Sequence, residues 1–213
     1  KYLTSHVQPD KLKRSFISPH QSFPQLKLMI LAEIENCKNG LPSGIWLKCN
    51  SLVDHRLIGL LYEASQAGVP IEIMARGVCC LRPGVAGLSE TITVRSIIGR
   101  FLEHGRIYVF ANGGEFLSDK NIVMISSADL MPRNLRRRVE CFMPLENPTI
   151  RKQVLHQIMV ALLRDEKNAW YLQPDGSYVH PQTDETSFSC HEYFMSNPSL
   201  SGLGSLAATQ DNG

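Results

Sequence analysis

The chain has 213 residues, 43% of them hydrophobic, enough to bury one sizeable core without disulfide or metal staples. Lys and Arg number 22 against 20 Asp and Glu, so a net charge of +2 gives no overall push toward nucleic acid or an anionic membrane. With no apolar run near the roughly 20 residues of a membrane helix and no basic-then-apolar leader, the sequence predicts a cytoplasmic, at most peripherally membrane-associated protein.

Residues 1–22 scatter Lys, Ser, Pro and His without periodicity and read as a linker into the domain; Lys1 as first residue suggests a piece of something longer. Leu26, Met29, Ile30 and Ile34 recur at helical spacing, so residues 24–38 are predicted to be a helix stopped by Gly40. A strand over 44–50, a helix over 54–67 ending at Gly68 and an alternating strand over 69–75 form a crossover unit, which calls for parallel strands with helices on the sheet faces. The Gly- and Pro-punctuated stretch 76–90 is too long for a tight turn. Residues 94–103 read as short and partly helical, 106–111 and 121–126 as an antiparallel pair across the Asn112-Gly113 turn, and 138–144 as a further strand. Asn147 and Pro148 open a helix with a stripe of Ile150, Val154, Leu155, Ile158, Met159 and Leu162. The domain is thus expected over 23–173, and the Ser-, Gly- and Asp-rich residues 174–213 as a flexible tail.

Charge is unevenly placed. Nine of the thirteen arginines lie between residues 76 and 138, and with Lys120 they face only five acids there. Arginine presents a planar fork that matches phosphate oxygens, so a polyanion site is the sharp reading and a solvated face with ordinary ion pairs the plain one. Neither G-x-x-x-x-G-K-[ST] nor a G-x-G-x-x-G after a strand occurs, so any nucleotide is held by side chains. His104 stands two residues before Arg106, and in an extended segment the two share a face. An imidazole beside a fixed positive charge suits phosphoryl chemistry; the other reading is an ordinary strand-edge histidine. The six cysteines (37, 49, 79, 80, 141 and 190) contain no C-x-x-C pair and read as reduced thiols, and no metal site is expected, Cys190-His191 being too isolated.

Four segments carry a resemblance: LPSGIWLKCNSLVD at 41–54, RGVCCLRPG at 76–84, RSIIGRFLEHGRIY at 95–108 and SSADLMPRNLRRRVE at 126–140. In this order, within residues 16–165, they resemble the C-terminal part of bacterial polyphosphate kinase. The resemblance implies an α/β, phospholipase D-like fold with a mixed sheet flanked by helices, one of two such domains around a basic tunnel. It implies reversible transfer of the terminal phosphate of ATP to inorganic polyphosphate, with Mg2+ and a phosphohistidine. It also implies contacts with upstream domains, a homo-oligomer at full length and no nucleic acid partner.

By that resemblance Arg76 and His104 contact ATP, with His104 catalytic, while Lys48, Asn50, Arg82, Arg106, Arg133 and Asn134 line the polyphosphate tunnel and Asp129 orients a neighbour. Against the phospholipase D pattern H-x-K-x4-D, Arg106 replaces the lysine and Ala111 the aspartate, which argues against phosphodiesterase activity. The family's phosphorylated histidine sits in a His-Pro-Tyr motif that this chain lacks, so the chain is expected to hold half an active site. The alternative is a polyanion- or nucleic-acid-binding module without catalysis; arginines without interleaved aromatics between 76 and 100 favour polyphosphate, which has no bases to stack.

Overall fold

A computed structural model describes residues 15–197, and its alternating apolar segments pair into one nine-stranded mixed sheet. The strands are β1 (Phe16–Ile17), β2 (Ile45–Cys49), β3 (Ile71–Ala75), β4 (Ile92–Ile97), β5 (Arg106–Phe110), β6 (Ile122–Ser126), β7 (Cys141–Pro144), β8 (Ala169–Leu172) and β9 (Tyr178–Val179). They run in the order β1-β7-β6-β5-β2-β3-β4-β8-β9. The pairs β2–β3 and β3–β4 are parallel and the others antiparallel.

Successive side chains of a strand point to opposite faces, and both faces here are apolar, so the sheet needs cover on both sides. Ile71, Ile73 and Ala75 of β3 meet a core shared with helices α1 (Ser22–Lys38) and α2 (His55–Gln66). Met74 points the other way, toward Leu155, Met159 and Leu162. These belong to a second helical layer: α4 (Pro148–Gln153), a π-helical turn (Val154–Met159) and α5 (Val160–Leu163). The expected cap is in place, Asn147 accepting the N–H of Thr149 and Ile150 to open α4, and Asp54 likewise accepts those of Arg56 and Leu57 to open α2.

Several expectations need correction. Residues 92–97 form a strand, not a helix, because parallel pairing with β3 is open to them and Arg95, though buried, pairs with Glu72. The five residues from Pro132 make a short helix, α3 (Pro132–Arg136), where no helical periodicity exists to be read. Ile150 is 48% exposed, so the buried stripe begins further along the helix. Within the presumed linker, Phe16 and Ile17 pair with β7; residues 1–14 lie outside the described ones. Within the presumed tail, β9 extends the sheet and α6 (Cys190–Ser196) packs on the second layer; residues 198–213 are not described.

The sheet end opposite the candidate site is fixed by one buried acid. Glu33 of α1 is 1% exposed and accepts the N–H of Gly44 at 3.0 Å and of Asn112 at 2.7 Å. Burial lifts its pKa above the ordinary 4.5, with those two N–H donors opposing. Glu33→Ala leaves the buried Gly44 N–H and the part-buried Asn112 N–H without an acceptor, and a loss of about 2 kcal/mol is expected in chemical denaturation. Glu33→Gln, which keeps one acceptor oxygen, should cost less; equal stability of the alanine variant and the parent would refute this account of the tie.

Candidate active site

Parallel β2, β3 and β4 end, and antiparallel β5 begins, at the same edge of the sheet, so Lys48, Arg76 and Arg106 gather there from distant parts of the chain. Strand carboxyl ends are where α/β sheets place ligands. Beyond β2, Leu52 bridges Cys79 on one side and Leu130 on the other, which aligns residues 50–52 between two loops. Asp129 in the second loop takes the Asn50 N–H at 2.7 Å and holds Arg106 through two nitrogens, Nε at 3.2 Å and Nη2 at 2.9 Å. Arg76 donates from Nε to the Asn50 side-chain oxygen at 3.1 Å. Among the described residues its two terminal nitrogens have no partner.

The electrostatics separate two kinds of cation here. Lys48 is neutralised by Glu103 at 3.1 Å, and Arg106 by Asp129. Burial alone would raise the Asp129 carboxyl, but Arg106 and the Asn50 N–H outweigh it and hold it below the ordinary value of 3.8. The Asp129 hydrogen bond in turn raises Arg106. Arg76 carries no carboxylate partner, which leaves it as the open charge. His104 lies in the loop before β5 rather than in the strand, so the shared strand face with Arg106 is replaced by a backbone contact, Arg106 Nη1 to the His104 carbonyl at 3.0 Å. Its imidazole is exposed and, among the described residues, unpartnered.

The remaining candidates disperse. Arg82 is exposed and lies with Tyr178 and Leu172 along a neighbouring pocket. Arg133 is exposed on α3, whereas Asn134 is buried and its amide donates to Glu140 at 2.6 Å. Of the clustered arginines, Arg95 is a structural tie to Glu72 and the Leu163 carbonyl, and Arg136 to Asp54. Sequence reasoning missed Glu103 and His191, 88 residues apart, which meet at 2.8 Å beneath the His104 loop. The one usable signal was Glu103's place beside His104.

Among the described residues, Glu103, Cys190 and His191 are the group whose donor atoms lie close enough to share a metal, within 4.8 Å. A buried thiol and an imidazole suit soft ions, not magnesium. The Glu103 oxygens are already engaged by Lys48 and His191, and both Asp129 oxygens by Arg106. The site therefore offers no fitted magnesium cage. All six cysteines are free, and burial pushes Cys79 up to about 11, far from a reactive thiol.

A family model described as "Polyphosphate kinase C-terminal domain 2" matches residues 15–190. The chain belongs to that family. A polyphosphate kinase of Erythrobacter litoralis is 51% identical over 203 residues, 95% of this chain and 28% of that protein. One of Synechocystis is 46% identical over 91% of this chain and 26% of its own length. The chain therefore spans little more than a quarter of these relatives. The crystal structure of polyphosphate kinase from Porphyromonas gingivalis superposes with a TM-score of 0.85 at 32% identity, covering 98% of this chain and 31% of that one. The mixed sheet flanked by helices is thus the architecture that the polyphosphate kinase resemblance implied. No helix among the described residues is long and apolar enough to cross a membrane.

Proposed function

We propose that this domain forms one wall of a polyphosphate kinase active site, in which the terminal phosphate of ATP passes reversibly to inorganic polyphosphate through a phosphohistidine carried elsewhere in the protein. The observation that carries this reading is the unpartnered fork of Arg76 at the same sheet end as the unpartnered imidazole of His104. Phosphoryl transfer asks a protein mainly to position phosphates and to stabilise charge on their non-bridging oxygens. Arg76 can take two such oxygens side by side, held by Asn50 in the required direction. His104 can donate a proton to, or take one from, the transferred group. Lys48 and Arg106 act as a rigid layer behind them, since their charges are spent on Glu103 and Asp129. Arg82 and Arg133 extend the positive surface for a longer polymer. Magnesium, when bound to the nucleotide, supplies further neutralisation of phosphate charge.

Arg76→Lys keeps the charge but loses both the tie to Asn50 and the fork. ATP affinity of the full-length protein is expected to fall about tenfold, read by equilibrium titration. An unchanged dissociation constant would mean that Arg76 contributes charge alone.

One observation favours the binding-module reading. Trp170 and Tyr178 line a pocket of roughly 320 Å3 with Arg76 and Ser96, so the structure brings stacking platforms to an arginine that has none nearby in sequence. Titration with polyphosphate at several salt concentrations, with single-stranded DNA as competitor, separates the two. Affinity for polyphosphate should decline roughly linearly with log salt, by analogy with nucleic-acid backbones, and DNA should compete poorly at equal phosphate concentration. Better competition by DNA favours the module.

A further inference from the structure

The loop joining β4 to β5, residues 98–105, is anchored at alternate positions from beneath. Gly99 passes so close to His191 that a Cβ there would meet its Nδ1 at 2.5 Å. The Phe101 N–H donates to the same Nδ1 at 3.4 Å, and the Phe101 ring stands edge-on to the imidazole at 5.2 Å. Glu103 takes His191 Nε2 on one oxygen at 2.8 Å and Lys48 Nζ on the other at 3.1 Å. The Gly105 carbonyl accepts from Lys48 at 3.0 Å. His104 is left exposed between two anchored neighbours.

His191 is itself held from the far side. Its side chain is 3% exposed, and it sits in the first turn of α6, which Ser189 caps by accepting the Glu192 N–H. Asp165 accepts the Cys190 N–H at 2.7 Å, and Asn168 donates to Ser189 Oγ at 2.8 Å. An Nδ1 that accepts and an Nε2 that donates are satisfied together only by the neutral Nε2–H tautomer.

We propose that His191 is a positioning residue for the site: through Glu103 and the backbone of residues 99–101 it fixes the loop that carries His104 and the ammonium of Lys48. The proposal rests on the reading of His104 as a group at the reacting phosphate. It gives the C-terminal helix α6 a role beyond packing, since its imidazole is the joint between the second helical layer and the site edge.

The test uses the full-length protein with His191→Phe, which keeps ring volume but loses both hydrogen bonds, and His191→Gln, whose amide can still donate to Glu103. Two readouts are taken: hydrogen exchange of amides 99–105, and kcat and KM for phosphate transfer. In His191→Phe, exchange should rise about tenfold, because local opening is no longer opposed by the ties. Turnover should fall about tenfold or more with KM changed less than twofold, since a small misplacement of a reacting group costs mainly rate. His191→Gln should recover most of both. Parental exchange in His191→Phe overturns the proposal whatever the activity. Raised exchange with parental kcat leaves a structural tie without a positioning role and also overturns it. If the parent protein transfers no phosphate, the proposed function fails; in that case the exchange comparison alone decides whether His191 holds the loop.

Discussion

His104→Ala in the full-length protein is expected to lower phosphate transfer about 100-fold or more while leaving the melting temperature unchanged. The size follows from the proposed role of this imidazole as proton donor or acceptor at the transferred group, a contribution of roughly 10²–10⁴ in rate. The unchanged stability follows from the structure: the side chain is exposed and, among the described residues, touches no polar partner, so its removal opens no cavity and strands no donor. The pair of readouts matters more than either alone. A variant with full turnover makes His104 an ordinary loop histidine, and a variant that melts early means the loop depends on it in a way the geometry does not show.

Asp129→Ala should instead damage the fold. Its carboxylate accepts from the Asn50 and Ser51 N–H groups and from two nitrogens of Arg106. Truncation leaves the guanidinium without its counter-charge and the buried Asn50 N–H without an acceptor, a combination that costs about 3 kcal/mol or more. Arg106 keeps part of its surface in water, which places the loss toward the lower end of the range for broken buried pairs. Asp129→Asn retains the shape and one acceptor and should lose less. The pH dependence has a definite sign. Because the folded carboxyl lies below its ordinary 3.8, its stabilisation is complete above that value and disappears as pH falls through the lowered one. The acid-side loss of stability in urea titrations should therefore be shallower in Asp129→Ala than in the parent. Identical acid slopes would show that the ion pair contributes nothing to folding.

What the sequence revealed and what it hid divide along physical lines. The crossover unit over residues 44–75 was legible because β2 and β3 are short, largely apolar segments and Gly68 marks where α2 stops between them. Strand β4 was not, since its Arg95 breaks the apolar pattern and is tolerated through Glu72, 23 residues away, and the Leu163 carbonyl, 68 residues away. In the same way β8 and α6 lack a strong local pattern and exist through pairing with β4 and packing on the second helical layer. The candidate site shows the same contrast. Lys48, Asn50, Arg76, His104 and Arg106 belong to motifs that can be read in order. Whether a cation is open or spent, however, depends on its acid: Asp129 for Arg106 and Glu103 for Lys48. Asn134 illustrates the opposite error, a motif position whose side chain turns inward to Glu140. Counting arginines located the region, and only the acids showed that Arg76 is open where Lys48 and Arg106, at the same sheet end, are paired.

The proposed role of this sheet end is phosphate transfer and not polyanion binding alone. Its most direct test is incubation of the full-length protein with ATP labelled on the terminal phosphate, followed by separation of polymer from nucleotide and orthophosphate. Label should enter chains of polyphosphate, should return to ADP when excess ADP is added, and should do neither with His104→Ala. Label that stays on ATP, or appears only as orthophosphate, would contradict the account.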